Sequence, residues 1–140
     1  MADAGGYVRV SKLDKDEQGR AISPDMQLET FRAYAKVVND VLIEDLVVQD
    51  LDVSGSRLPW RKRPGFPLLL SAAKAGRFQK LYVFKFSRLG RKNVREIITE
   101  FERYGVSIVA TQQLIDTSTP AGKLVRNVLI DIDEFYAEDL

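Results

Sequence analysis

The sequence contains no cysteine and no histidine among its 140 residues. The lack of cysteine excludes a thiol nucleophile, and the lack of both residue types excludes zinc sites of the usual kind. Every mechanism whose general base is an imidazole is excluded as well. Any nucleophile in this chain must therefore be activated in another way.

A strong charge imbalance and a long apolar run are also missing. The formal net charge is +1, so the local distribution of charge has to decide whether the protein binds nucleic acid. No apolar run is long enough to span a membrane and no signal-peptide pattern is present near the N-terminus, which predicts a cytoplasmic protein without a membrane partner. With 45% hydrophobic residues the chain can bury one core, so we expect one domain.

Strand and helix patterns alternate along the chain. Short β-branched or aromatic runs predict strands at residues 7–11, 46–50, 81–86 and 106–111. Helical spacing of apolar residues predicts helices at residues 24–38, from Pro64 to Gly76, through 94–101 to Gly105, and from Pro120 to the end of the chain. The alternation predicts an α/β fold with a mainly parallel central sheet and helices on both faces.

The first strand ends in an arginine and a hydroxyl. Residues two apart on a strand share a face, so Arg9 and Ser11 should project side by side at its carboxyl end. Ligands of open α/β sheets gather at the carboxyl ends of the strands. The residues around Arg9 and Ser11 are therefore the first place to look for chemistry.

Further arginines follow the other strands at the same predicted edge of the sheet. The loop after the second strand and the segment after the third contribute Arg57, Arg61, Arg63, Arg88 and Arg91. Guanidinium groups match phosphate oxygens with two hydrogen bonds and stay charged at any working pH. They would also stabilise charge that develops on a phosphoryl oxygen, so the pattern predicts attack of the serine on a phosphodiester.

The last predicted helix has an apolar stripe wider than one small sheet needs. The stripe comprises Leu124, Val125, Val128, Leu129, Ile132, Phe135 and Tyr136, and acidic residues crowd the far end of the helix. Two interpretations remain open, a core helix with a solvated acidic face and a helix that packs on another subunit. The sequence ends without a helix C-cap, from which we expect the protein to continue.

Five motifs in order together resemble the catalytic domain of serine site-specific recombinases, the resolvase/invertase family. The motifs are Tyr7-Val8-Arg9-Val10-Ser11, Ser54-Gly55, Arg63-Pro64-Gly65-Phe66, Ser87-Arg88-Leu89-Gly90-Arg91 and Ile115-Asp116-Thr117-Ser118-Thr119-Pro120-Ala121-Gly122-Lys123. The long polar loop after Ser11 and the Asp-Thr-Ser-Thr-Pro segment most resemble the large serine integrase branch. The resemblance covers nearly the whole chain.

The resemblance implies a reaction without metal or nucleotide cofactor. The matching serine, Ser11, would attack a DNA phosphodiester and remain joined to the 5′ end as a phosphoserine, before strand exchange and religation. The family's catalytic positions fall on Ser11, Arg9, Arg63, Arg88, Arg91, Gln27 and Tyr7, and its acidic position after the second strand is best matched by Asp50.

The resemblance also implies partners and a domain division. The partners are double-stranded DNA and further copies of the chain, in a dimer and a synaptic tetramer, and not a small-molecule substrate. Residues 1–119 would form the catalytic core and residues 120–140 the start of a long interface helix, with DNA-recognition domains beyond 140. The basic residues expected to contact DNA are Arg57, Arg61, Lys62, Lys92, Lys123 and Arg126.

Two departures from the family pattern affect the acidic groups. Many members have aspartate immediately before the arginine matched by Arg88, where this chain has Ser87, so the general acid is unassigned. Asp50 and Asp52 straddle the expected acidic position; Asp50 is the favoured match, and the alternative for either residue is a strand-end aspartate that caps a turn.

Two other functions are alternatives. A metal-dependent nuclease or phosphatase would use Asp50, Asp52 and Asp116, whose carboxylates would have to converge on a hard cation. A non-enzymatic α/β module would act through its last helix, and Ser11→Ala would leave its function intact.

Overall fold

The computed structural model describes residues 1–10, 23–51, 59–90 and 93–139, with side chains except at positions 133 and 136–139. The strands are β1 (Asp3–Val10), β2 (Val41–Leu51), β3 (Lys80–Val83), β4 (Ser107–Ala110) and β5 (Ile115–Asp116), and the helices are α1 (Pro24–Val38), α2 (Gly65–Lys74), α3 (Val94–Arg103) and α4 (Pro120–Asp139). Short 3₁₀ turns span Trp60–Lys62 and Phe86–Arg88. None of the helices described is both long and apolar enough to cross a membrane.

The strands form one sheet in the order β2-β1-β3-β4-β5. The first four strands in this order are parallel, and β5 pairs antiparallel to β4 at the edge. One sheet face packs Val8 and Tyr82 against Phe31 of α1, and the other packs Leu81 and Ile108 into the cluster that holds the apolar sides of α2 and α3. The predicted mainly parallel α/β fold with helices on both faces is thus confirmed.

The start and the end of α1 follow directly from its sequence. The Ser23 hydroxyl accepts a hydrogen bond from the Met26 N–H at 3.1 Å, and Pro24 occupies the first helical position, where no N–H is needed. Asn39 ends the helix in the left-handed conformation, with φ of 63°. The predicted helix over residues 24–38 is confirmed at both ends.

The strands differ from their predicted lengths for local reasons. The second strand begins at Val41, before a bulge in which Gly5 of β1 faces residues 43–46 of β2. The third strand ends at Val83, because the chain turns into the 3₁₀ turn that carries Arg88. The two-residue β5 is too short to give an alternating pattern and was not predicted. The predicted end of the first strand at Ser11 lies outside the described residues.

Candidate active site

Three arginines are buried where the parallel strands reach their carboxyl ends. Their side chains come from the end of β1, the segment before α2 and the 3₁₀ turn after β3, and the exposed fractions are 3% for Arg9, 0% for Arg63 and 3% for Arg88. Burial of a guanidinium costs several kcal/mol unless hydrogen bonds compensate it. The hydrogen-bond partners of these three guanidinium groups therefore determine how the site is built.

Arg9 and Arg88 are tied to each other's backbone. Arg9 donates from Nε to the carbonyl of Arg88 at 2.8 Å and from its terminal nitrogen to the carbonyl of Ser87 at 2.7 Å. Arg88 donates in return to the carbonyl of Arg9 at 3.3 Å. The end of β1 and the turn after β3 are thus held together by two guanidinium groups.

Gln27 of α1 joins this pair from the other side of the sheet. Its side-chain amide donates to the Arg9 carbonyl at 3.2 Å, and the residue is fully buried. Its Oε1 atom is buried and accepts no hydrogen bond from the described residues. Gln27 therefore fixes the strand end that immediately precedes residue 11.

Arg63 completes the cluster from the segment before α2. It donates to the carbonyl of Leu89, one residue beyond Arg88, and its guanidinium carbon lies 5.5 Å from the centre of the Phe66 ring. The turn Trp60–Lys62 leads into it, with the Arg63 N–H bonded to the Trp60 carbonyl at 3.2 Å. Three guanidinium groups thus bond to carbonyls along the two backbone segments that hold residues 9 and 87–89.

Tyr7 of β1 and Asp50 of β2 are hydrogen-bonded to each other next to the start of α2. The Tyr7 hydroxyl donates to one oxygen of Asp50 at 2.8 Å, and the Gly65 N–H donates to the other at 2.9 Å. Burial, followed by the charge and hydrogen bond of Asp50, raises the pKa of Tyr7 far above its ordinary value, although Arg63 opposes this shift. Tyr7 therefore keeps its proton at neutral pH.

Gly65 is required where Asp50 meets the start of α2. A Cβ at this position would lie 2.9 Å from the Val48 side chain and 3.2 Å from both carboxylate oxygens of Asp50. The Tyr7 ring also stacks on Phe66, with centroids 4.5 Å apart. Asp50 thus holds the beginning of α2, and with it Arg63, against β1.

The structure brings together six of the predicted catalytic residues. They are Tyr7, Arg9, Gln27, Asp50, Arg63 and Arg88. Ser11 and Arg91 lie outside the described residues. One contribution that was not predicted comes from Gln113, whose side-chain oxygen accepts the Phe86 N–H at 3.2 Å and so supports the turn that carries Arg88. The only feature of the sequence that could have indicated this role is the position of Gln113 just after the predicted fourth strand.

The predicted DNA-contacting residues occupy different surfaces. Arg61 and the exposed Lys62 lie on the turn before Arg63, where Arg61 packs over Trp60 and pairs with Glu100 at 3.4 Å. Lys123 is exposed in the first turns of α4, whereas Arg126 bonds to Glu102 of α3. Arg57 and Lys92 lie outside the described residues.

The acidic residues of the metal-dependent alternative do not converge where the structure describes them. Asp50 is the last residue but one of β2 and Asp116 lies in β5, so the two residues are on opposite edge strands, which are about 19 Å apart laterally across four strand spacings. Asp52 lies outside the described residues. Among the described residues, no group of three acidic side chains could hold a metal ion.

Solved structures with a similar fold include three recombinase domains. The N-terminal catalytic domain of TP901-1 integrase has a TM-score of 0.75 and 24% identity, over 97% of each chain. A resolvase family site-specific recombinase from Streptococcus pneumoniae has a TM-score of 0.70 and 24% identity, over 99% of this chain and 90% of its own. The C-terminal catalytic domain of ISC1926 TnpA, an IS607-like serine recombinase, has a TM-score of 0.63 and 22% identity, over 97% and 84%.

The sequence itself also matches a family model. The model describes the N-terminal domain of resolvases, and the match runs over residues 4–140. It therefore includes both the arginine cluster and α4.

Proposed function

This chain belongs to the resolvase family, and we propose that its Ser11 is the nucleophile of a serine site-specific DNA recombinase. The observation that supports the proposal most is the cluster of three buried arginines, which lies where the chain leaves β1 towards residue 11. A phosphodiester is the substrate whose charge and geometry fit such a cluster.

The proposed reaction is a transesterification. The Ser11 oxygen forms a bond to phosphorus, the bond from phosphorus to the 3′ oxygen breaks, and that oxygen leaves with a proton as a 3′ hydroxyl. The 5′ phosphate stays on the serine, and attack by a 3′ hydroxyl of the recombining strand reverses the step. One phosphoester bond replaces another, so the energy of the DNA backbone is retained and no nucleotide cofactor is needed. That the reaction also needs no metal is what the family resemblance implies.

Arg9, Arg63 and Arg88, together with Arg91, would stabilise the charge on the phosphoryl oxygens in the transition state. The arginines are already held on backbone carbonyls, so their guanidinium groups need little reorganisation when the phosphate arrives. In this proposal Tyr7, Asp50 and Gln27 are positioning residues, because their bonds run to each other, to α2 and to the β1 backbone.

Covalent capture tests the proposal. The full-length gene product would be incubated with sheared genomic DNA of its source organism, and covalent protein–DNA adducts would be precipitated in the presence of detergent and potassium. We expect mass spectrometry to find a nucleotide on the peptide that contains Ser11, and we expect Ser11→Ala to abolish the adduct. Ser71→Ala, which changes an exposed serine of α2, is the matched control and should leave the adduct unchanged.

Either of two results would contradict the assignment. An adduct that survives Ser11→Ala would show that another residue is the nucleophile. DNA binding without any adduct in the wild-type protein would favour the non-enzymatic module instead.

The apolar residues of α4 support assembly with further copies of the chain. Val125, Val128, Ile132 and Phe135 are exposed, and their spacing of three, four and three residues is that of a coiled-coil seam. We propose that residues 120–140 begin an interface helix of a dimer, which becomes a tetramer on DNA, with domains that read the DNA sequence beyond residue 140. Such a protein would act in the bacterial cytoplasm, where its DNA lies.

A charge placed on this stripe should prevent dimer formation. We expect Ile132→Asp to weaken dimerisation by about 100-fold, because a carboxylate would have to be desolvated in the interface. Sedimentation velocity over a concentration series measures the effect. Asn127→Asp adds the same charge to the same helix away from the stripe and should change dimerisation little; equal weakening by both variants would show that the stripe is not the interface.

A further inference from the structure

A second cluster of charged side chains lies at the other end of the sheet from the arginines. The ammonium group of Lys80, the first residue of β3, is 3.2 Å from a carboxylate oxygen of Asp40 and 3.1 Å from one of Asp116. Asp40 also accepts hydrogen bonds from the Tyr82 hydroxyl at 2.6 Å and from the Ala2 N–H at 3.2 Å. Lys80 therefore links the residue before β2 to β5, on the opposite edge of the sheet.

These groups are charged at neutral pH. Burial alone would lower the pKa of Lys80, but the hydrogen bonds and charges of Asp116 and Asp40 raise it above its ordinary value. Burial alone would raise the pKa of Asp116, but hydrogen bonds from Ser118 and Lys80 lower it. The Lys80–Asp116 contact is a partly buried ion pair, with both side chains 18% exposed. Removal of either partner leaves the other charge partly desolvated without its counter-ion.

Asp116 also organises the start of α4. Its second carboxylate oxygen accepts the Ser118 N–H at 2.8 Å, and its backbone carbonyl accepts the Thr119 hydroxyl at 2.9 Å. The same Thr119 oxygen accepts the Gly122 N–H at 3.0 Å and so caps the helix. A Cβ on Gly122 would lie 1.8 Å from the Asp116 carbonyl oxygen, which shows how closely the first turn of α4 approaches β5.

The remainder of α4 is tied to α3 and to the core. Arg126 pairs with Glu102 of α3, Arg95 of α3 pairs with Asp131 and Glu134, and Ile130 is buried in the core cluster. The Arg95 pairs are exposed and therefore contribute little. The polar contacts at the first turn differ from these contacts because they join α4 to the sheet.

We propose that Lys80 and Asp116 are positioning residues that set the direction of α4 relative to the sheet. The ion pair fixes β5 and the turn at Ser118 to β3, and the Thr119 cap passes this constraint to the helix. The inference deepens the proposed function, since α4 carries the apolar stripe through which we propose that copies assemble. The partner whose binding would depend on the direction of α4 is thus a second copy of the chain.

Spin labels on α1 and α4 test the proposal directly. The chain has no cysteine, so Lys36→Cys and Val128→Cys give two labels at exposed positions without removing an ion pair, and dilution with unlabelled protein restricts the measured distance to one molecule. Pulsed electron–electron resonance then gives the distribution of distances between the two helices. The comparison is made with Lys80→Met, Asp116→Asn and the double variant, at temperatures well below each unfolding transition.

We expect Lys80→Met and Asp116→Asn each to at least double the width of the distance distribution. The double variant should be no broader than either single variant, because both substitutions remove the same ion pair. Asp40→Asn is the matched control: it removes the other carboxylate from Lys80 but leaves Asp116 and its turn, so it should lower the melting temperature without broadening the distribution.

Unchanged widths in both single variants would overturn the proposal, as would equal broadening by Asp40→Asn. Neither result depends on DNA or on the covalent adduct. Loss of the Ser11 adduct assignment would therefore leave this measurement valid, and failure of this measurement would leave the assignment of the nucleophile untouched.

Discussion

Replacement of Arg88 with alanine is expected to reduce covalent adduct formation by about a thousandfold. Loss of one group that stabilises charge in a transition state typically costs a factor of about 100 to 1000 in rate. Arg88 is expected to lie at the upper end, because its side chain also bonds to the Arg9 carbonyl and so holds the strand end next to residue 11.

The rate of adduct formation at saturating protein measures this effect separately from DNA binding. Arg88→Lys keeps the charge but loses the planar donor arrangement, so we expect it to remain severely impaired. Lys62→Ala is the control for a simple phosphate contact. It should weaken DNA binding and reduce the slope of log K against log salt concentration by about one. The rate of adduct formation at saturating protein should stay near that of the wild type. A saturated rate for Arg88→Ala equal to that of the wild type would refute the proposed role.

The architecture was predictable because each main element carries its own local signal. Ser23 and Pro24 mark the start of α1, Gly76 and Gly105 follow α2 and α3 in the left-handed conformation, and the short β-branched runs form the parallel strands. The place of the arginine cluster was predictable as well. Parallel strands bring their carboxyl ends to one edge, so arginines that follow different strands had to meet there.

The interactions within the site were not predictable, because they depend on backbone atoms of distant segments. Nothing in the sequence indicates that Arg9 bonds to the carbonyls of Ser87 and Arg88, or that Gln113 supports the same turn. The bulge opposite Gly5 was missed for the same reason, whereas the two-residue β5 is too short to give a sequence pattern. Sequence patterns report which face of an element is apolar, but not the hydrogen bonds made where the elements end.

The two ends of the sheet show how a nearly neutral chain can hold separate clusters of charge. At the carboxyl end, the three arginines share their surroundings with the single described carboxylate of Asp50, and the excess of positive charge suits a phosphate. At the amino end, Lys80 is balanced by Asp40 and Asp116, and the cluster suits a structural link. The charges at the two ends of the sheet therefore suit different roles, although the net charge of the chain is only +1.

Asp50→Ala should lower the free energy of unfolding by about 3 kcal/mol, because it leaves the Tyr7 hydroxyl and the Gly65 N–H buried without their acceptor. Urea titration measures this loss. We also expect adduct formation to fall at least 100-fold at a temperature where the variant is still folded, because Arg63 loses the support of α2.

Asp50→Asn distinguishes a positioning residue from a proton-transfer group. The amide oxygen can still accept the Gly65 N–H, and its NH₂ group can donate to the Tyr7 oxygen, so the shape of the site is kept while the carboxylate is lost. We expect Asp50→Asn to keep adduct formation within about tenfold of the wild type, with an unchanged pH profile. Tyr7→Phe, which keeps the stacking on Phe66, should behave in the same way. A folded Asp50→Asn variant that lost activity as completely as Ser11→Ala would contradict this role. The carboxylate would then have to take part in proton transfer, and its contacts with Tyr7 and Gly65 would have to change during the reaction.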